Sequence, residues 1–306
     1  MEVKNKYKGV VVPMITPLED DLSIDINGVN NIIDLFLTNG VSPFILGTTG
    51  EAPSLSSKQK EDLVKAVVNR VGGKDIVYVG ISSNCISESI EDAKKYAELG
   101  ADVMVATLPA YYPMNEEQMF KYFTQLADEI NRPLIIYNMP ATVKYSIPLS
   151  VIDSLSEHEN IVGLKDSERD EDRLIKAIEL AKDRDDFNYL LGWAAQSSYA
   201  MLNGADGIVP STGNFTPELY KDLVDAALRG DKVVADELQQ KTNYLGALYQ
   251  KDRILSESIP ALKMLMSIQG LCKGNVMPPM YKMDQAEEVA YIESMKEELS
   301  NLKILK

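Results

Sequence analysis

The 306-residue chain holds one histidine, His158, and two cysteines, Cys85 and Cys272. A Ser-His-Asp or Cys-His machine would have to place all its base chemistry on His158. A His-rich zinc site, which needs three or four ligands, is excluded. Carboxylate-only Mg²⁺ sites stay open, with Glu51, Asp166 and Glu168 as conceivable ligands and solvated charge as the plain reading. Two distant cysteines do not make a disulfide framework, so a reducing cytoplasm is expected. Basic side chains are also scarce: 31 against 46 acidic ones, a formal net charge of −15. That argues against nucleic acid and against an anionic membrane surface as partners. No apolar run reaches the roughly 18 residues of a membrane span. The N-terminal stretch MEVKNKYKGVVVPMITP lacks the apolar length and small-residue cleavage pattern of a signal peptide. With so little histidine and cysteine, an enzyme built on this chain is expected to use Lys, Tyr, Asp or Glu.

What the chain does have is a repeated alternation. Short runs rich in Val and Ile recur at 9–15, 43–46, 76–81, 103–107, 134–137, 161–164, 189–191 and 207–209. Their near-continuous apolar character predicts strands buried on both faces, hence a parallel sheet. Helical spacing fills the gaps at 28–37, 58–71, 88–99, 116–130, 149–155 and 173–181. Ser56 with Gln59 and Asn115 with Gln118 read as capping boxes, and Thr216-Pro217 as N-cap followed by N1. From about Thr216 onward the pattern is helical, at 217–228, 232–248, 259–269 and 285–302. The expected fold is α/β, a (β/α)₈ TIM barrel over residues 1–229 with a C-terminal helical domain over 230–306. A doubly wound open sheet is the alternative.

In such a barrel, reactive groups sit where strands end and loops begin. His158 precedes the sixth run, on the opposite face, and reads as structural. Lys165 closes the sixth run, so an amine stands at the mouth of an apolar strand. Desolvation lowers a lysine pKa, and a neutral amine attacks a carbonyl to form a Schiff base. The spacing leaves open a plainer reading, a lysine that snorkels out to pair with Asp166. Tyr137 closes the preceding run, 28 residues earlier. Adjacent strands lie about 4.8 Å apart, so the two side chains converge if both point inward. A phenol beside an amine relays protons; a buried strand tyrosine with a bonded hydroxyl is the alternative. The turn Gly47-Thr48-Thr49-Gly50-Glu51 offers hydroxyls and closely spaced N–H groups that suit a carboxylate, or is an ordinary βα turn. It is not a P-loop, because no Gly-Lys-Ser/Thr follows.

Taken together these residues resemble the dihydrodipicolinate synthase / N-acetylneuraminate lyase family of class I aldolases. The resemblance runs through residues 9–17, GTTGEAPSLS (47–56), PAYYP (109–113), IIYNMP (135–140), VGLKDS (162–167) and GADGIVPSTGN (204–214). It implies a barrel with a helical tail, usually a homotetramer, and no cofactor beyond a covalent imine on Lys165. By resemblance, Lys165 forms that imine with pyruvate or a related 2-keto acid, and Tyr137 relays protons. Thr48 and Thr49, with Gly47, hold the carboxylate. Tyr111 matches a tyrosine that reaches into a neighbouring subunit's site, with Tyr112 the candidate if the register is off by one. Val209 borders the pyruvate end. Two positions depart from the pattern. Thr142 stands where synthases making the lysine precursor carry an arginine, and Lys144 nearby is no bidentate fork. Gly192 is followed by Trp193-Ala194-Ala195 where sialic-acid lyases carry an acidic pair. Thr142, Trp193, Ala194, Ala195 and Ser211 are therefore expected to line the specificity side, and Gly192 to bind substrate beside them. The tail SNLKILK resembles that of some 2-keto-3-deoxygluconate aldolases. The expected activity is cleavage or formation of a C–C bond in a 2-keto acid, such as a 2-keto-3-deoxy sugar acid. The alternatives are a dihydrodipicolinate synthase or 2-keto acid dehydratase on the same imine, and a catalytically silent keto-acid-binding barrel.

Overall fold

The structure is a computed structural model that describes residues 6–302 and 304. The first residues of the N-terminal stretch, and most of the end of SNLKILK, lie outside the described residues. Eight parallel strands close into a barrel in chain order. They are β1 (Gly9–Pro13), β2 (Ser42–Ile45), β3 (Tyr78–Gly80), β4 (Val103–Ala106), β5 (Leu134–Asn138), β6 (Ile161–Asp166), β7 (Asn188–Leu191) and β8 (Gly207–Ile208). The fold is the expected (β/α)₈ barrel followed by a helical part. Each strand was visible as an apolar run because both its faces are buried. One face meets the helices. The other fills the barrel with Val11, Phe44, Tyr78, Val105, Tyr137 and Leu190, among others. Tyr7 stands edge-on to Tyr78 within this inner layer, with ring centroids 6.4 Å apart.

The helices are α1 (Ile26–Thr38), α2 (Ser57–Val71), α3 (Ile86–Glu98), α4 (Glu116–Ile130), α5 (Pro140–Val143) and α6 (Leu149–Leu155). They continue as α7 (Glu171–Ala181), α8 (Ser197–Leu202), α9 (Pro217–Leu228), α10 (Lys232–Gln250), α11 (Leu255–Ile268) and α12 (Gln285–Asn301). Both expected capping boxes form, on α2 and α4. Helix α1 starts earlier than its apolar pattern because the Asp25 carboxylate accepts from Gly28 N at 2.9 Å. Helix α11 likewise starts at Leu255, where Glu257 reaches back to Ile254 N at 3.1 Å. Pro217 does open α9, but Thr216 does not cap it. The buried Thr216 hydroxyl instead donates backward to Thr212 O at 3.1 Å. Helices α5 and α8 have too few residues to show a period. Helix α9 covers β1, and α10 packs on α8, α9 and α11, so the helical part rests on the barrel's closing seam.

Candidate active site

Strand β6 is irregular, and the irregularity decides where its lysine points. Leu134 pairs with Ile161, but the next residue, Ile135, pairs with Gly163, so Val162 is an extra residue. A bulge of this kind re-aims the side chains that follow it. Ile161 and Leu164 face the helices, while Val162 belongs to the barrel interior. Strict alternation from Val162 would carry Leu164 inward and turn Lys165 out. Beyond the bulge, Tyr137 pairs with Lys165 and Lys165 with Leu190, both partners being interior residues. Lys165 therefore faces inward. Gly163 permits this, because a Cβ there would lie 2.6 Å from the Asn188 carbonyl oxygen.

The Lys165 side chain is 4% exposed. Its Nζ lies 3.8 Å from the Tyr137 ring centroid and 4.6 Å from that of Phe44. Burial pulls the amine below its ordinary pKa, while the neighbouring Tyr137 phenol works in the other direction. Burial alone would push the Tyr137 phenol up. The Lys165 charge and the polar groups of Thr48, Ser167 and Lys165 near its oxygen outweigh that, so the phenol sits below its ordinary value. Amine, phenol and two hydroxyls are thus near enough to act on one another electrostatically. Asp166, the alternative partner for Lys165, points away from the barrel interior. It accepts from Arg173 Nε at 2.7 Å and from Asn138 Nδ2 at 2.8 Å. Glu168 takes part in the same network through Arg173, Asn138 and Ser146. Burial still leaves the Asp166 carboxyl above its ordinary value, against the pull of Arg173 and Asn138.

A cavity of about 550 Å³ opens on the loops that follow β2 to β5. Gly47, Thr48, Tyr137 and Thr142 line it, together with Phe44, which the sequence reading did not single out. Thr49 is half-buried in the same turn as Thr48. The Thr142 hydroxyl donates to Met139 O at 3.2 Å, so the cavity wall presents a short hydroxyl there and no guanidinium. Val209 lies in the barrel interior with Tyr137. Gly192, Trp193 and Ser211 are not part of this cavity wall. Gly192 N donates to Asp166 O at 2.6 Å, and the half-buried Trp193 packs against the core. The Ser211 hydroxyl lies 2.7 Å from the Tyr249 hydroxyl on α10. Tyr111 and Tyr112 are 77% and 74% exposed, edge to face at 4.9 Å, just beyond the cavity-lining Ala110. His158 lies before β6, its Nε2 3.1 Å from an Asp128 carboxylate oxygen. Among the described residues, no three His, Cys, Asp or Glu side chains converge as a metal site would require.

Ser167 was within reach of sequence reasoning, since it belongs to the motif that carries Lys165. Phe44 was not, because an aromatic residue in a buried strand looks like any other core residue. The Lys263 side chain, buried against Glu51, gave no signal either, as it lies deep in a helix far along the chain.

The family model described as the dihydrodipicolinate synthetase family matches residues 6–298. A 4-hydroxy-tetrahydrodipicolinate synthase of Neisseria meningitidis is 31% identical over 275 residues, covering 89% of this chain and 92% of that protein. The dihydrodipicolinate synthase structure from Bacteroides thetaiotaomicron superposes with a TM-score of 0.90 at 31% identity, covering 95% of this chain and 98% of that one. A prophage protein of the dihydrodipicolinic acid synthase family from E. coli K12, solved in complex with pyruvate, gives 0.89 at 25% identity, covering 97% and 99%. The barrel, the strand-end lysine and tyrosine, and the near-complete family match agree: this chain belongs to the dihydrodipicolinate synthetase family of aldolase-type lyases.

Proposed function

We propose that this chain is a class I, imine-forming aldolase or lyase acting on a C–C bond of a 2-keto acid, with pyruvate as product or donor. A 2-keto-3-deoxy sugar acid is the substrate class that the reading favours. One observation carries it: a buried Lys165 amine, lowered in pKa, lies against an in-register tyrosine beside a hydroxyl-lined turn. The pyruvate complex of the E. coli relative supports the choice of keto acid.

In this mechanism the substrate carboxylate rests on the Thr48–Thr49 turn. The neutral Lys165 Nζ adds to the keto carbon, the Tyr137 phenol gives its proton to the departing hydroxyl, water leaves, and a protonated imine and a Tyr137 phenolate remain. The Tyr137 oxygen takes the proton from the hydroxyl two carbons beyond the imine carbon. The C–C bond to that hydroxyl-bearing carbon breaks, an aldehyde departs, and the electron pair moves toward the imine nitrogen to give an enamine. Protonation at carbon and addition of water return pyruvate and free Lys165. The imine is the electron sink, so the proposal includes no cofactor. Tyr111 and Tyr112 are proposed to be covered by a second copy of the chain within a homotetramer, and the protein to be cytoplasmic. Synthase chemistry on the same enamine is the second reading, favoured by the names of the curated relatives. Thr142 in place of an arginine counts against an acceptor gripped by its carboxylate.

Borohydride reduction in the presence of pyruvate, read by intact mass and peptide mapping, tests the mechanism. A pyruvate adduct at Lys165 is expected; no adduct, or one at another lysine, sinks it. Turnover on 2-keto sugar acids but not on carboxylate-bearing aldehydes supports the lyase over the synthase. Trapping without turnover on any substrate of either panel indicates a silent binding barrel.

A further inference from the structure

The turn that carries Thr48 is held in a strained conformation from both sides, by the barrel and by the helical part that follows it. It is bounded by two non-glycine residues in the left-handed region, Leu46 at φ 55° and Glu51 at φ 58°. Such conformations persist only where the surroundings over-determine them. Leu46 is pinned by Gly80, where a Cβ would fall 2.0 Å from its carbonyl oxygen. The Thr16 hydroxyl donates to Gly50 O at 2.6 Å. Glu51 is pinned by charge: its side chain and that of Lys263 on α11 are both 0% exposed and ion-paired. The other Glu51 oxygen accepts from Met277 N at 2.7 Å. Lys263 Nζ also donates to Asn275 O at 2.7 Å, and Asn275 Nδ2 to Leu18 O at 3.0 Å. The segment 275–280 then delivers Met280 to the cavity wall, which Glu51 also lines. One buried point therefore joins the β2 turn, helix α11, the loop after β1 and the segment that brings Met280 to the cavity.

A buried ion pair is a poor device for stability alone, because apolar residues of similar volume often serve as well. Its use here is geometric. We propose that Lys263 and Glu51 are positioning residues: their ion pair fixes the strained turn so that Thr48 meets Tyr137 and the substrate carboxylate, and seats Met280 in the cavity wall. The catalytic consequence rests on the imine reading; the structural one does not.

The test compares Lys263→Met and Glu51→Gln with the wild-type chain by hydrogen–deuterium exchange and by pyruvate trapping. Glu51→Gln keeps the shape and an acceptor for Met277 N, so it remains readable if Lys263→Met fails to fold. Exchange is expected to rise about ten-fold or more within 46–55 and 275–280, and to stay unchanged in the other strands. The pyruvate concentration for half-maximal trapping should rise roughly ten-fold while the rate at saturation changes little, the signature of lost ground-state binding. Unchanged exchange at 46–55, or a rise spread evenly through the barrel, overturns the proposal. So does local loosening with unchanged half-saturation in an enzyme whose parent traps pyruvate. A parent that traps none defeats the imine reading, and the exchange pattern alone then decides the positioning role.

Discussion

Lys165 Nζ lies over the faces of Tyr137 and Phe44, which attract a cation, but its removal from water outweighs them and lowers the amine's pKa. Its pKa is lowered on folding, so between the folded value and the ordinary one the unfolded chain binds more protons than the folded chain. Stability from this site therefore rises with pH through that window. Lys165→Met should abolish the pyruvate adduct and stabilise the fold at neutral pH by about 1–3 kcal/mol. The gain should shrink as pH rises toward the ordinary lysine range, as urea unfolding over a pH series would measure. A variant less stable than its parent at every pH contradicts the assignment. Tyr137→Phe keeps the ring against Lys165 and Phe44 but loses the oxygen that faces Thr48, Ser167 and Lys165. Turnover should fall roughly 10²- to 10⁴-fold with the melting temperature little changed. A loss of only a few-fold in turnover would remove Tyr137 from the proton path.

At the scale of the element, the bulge in β6 matters most. Gly163→Ala sets a Cβ against the Asn188 carbonyl oxygen at 2.6 Å, and β6 must shift or the bulge must move. The expected cost is about 1–3 kcal/mol. Pyruvate trapping should fall further than this destabilisation explains, because any change of register turns Lys165. Unimpaired trapping in Gly163→Ala would show that the bulge does not aim the lysine. The strands themselves were legible from composition, since burial on both faces leaves little room for polar residues. The capping boxes of α2 and α4 were legible because their partners are three residues apart. The bulge was not. It shifts inside–outside parity by one residue within an unbroken apolar run, and Ile, Val and Leu suit either face.

For the whole molecule, the net charge of −15 sits beside a site proposed to bind an anion. On that proposal the anion is held by local donors, namely Thr48, Thr49 and the protonated imine. The exposed Tyr111–Tyr112 pair is a surface feature that the single chain leaves unexplained. Light scattering should give a mass near four times 34.0 kDa. Tyr111→Ala should then lower turnover while Lys165 is still trapped by pyruvate. A fully active monomer would end the tetramer proposal.

The sequence by itself determined the alternation of eight strands with helices, the helical part that follows, and the placement of Lys165 and Tyr137 at neighbouring strand ends. Those features depend on local patterning, in which apolar residues leave water at a strand or helix period. Only the tertiary structure decided that Lys165 points inward, that Asp166 belongs to Arg173 instead, and that Lys263 meets Glu51. Each of these depends on the register of one strand against the next, or on closure of a long stretch of chain. Packing sets those relations, and no run of neighbouring residues encodes them.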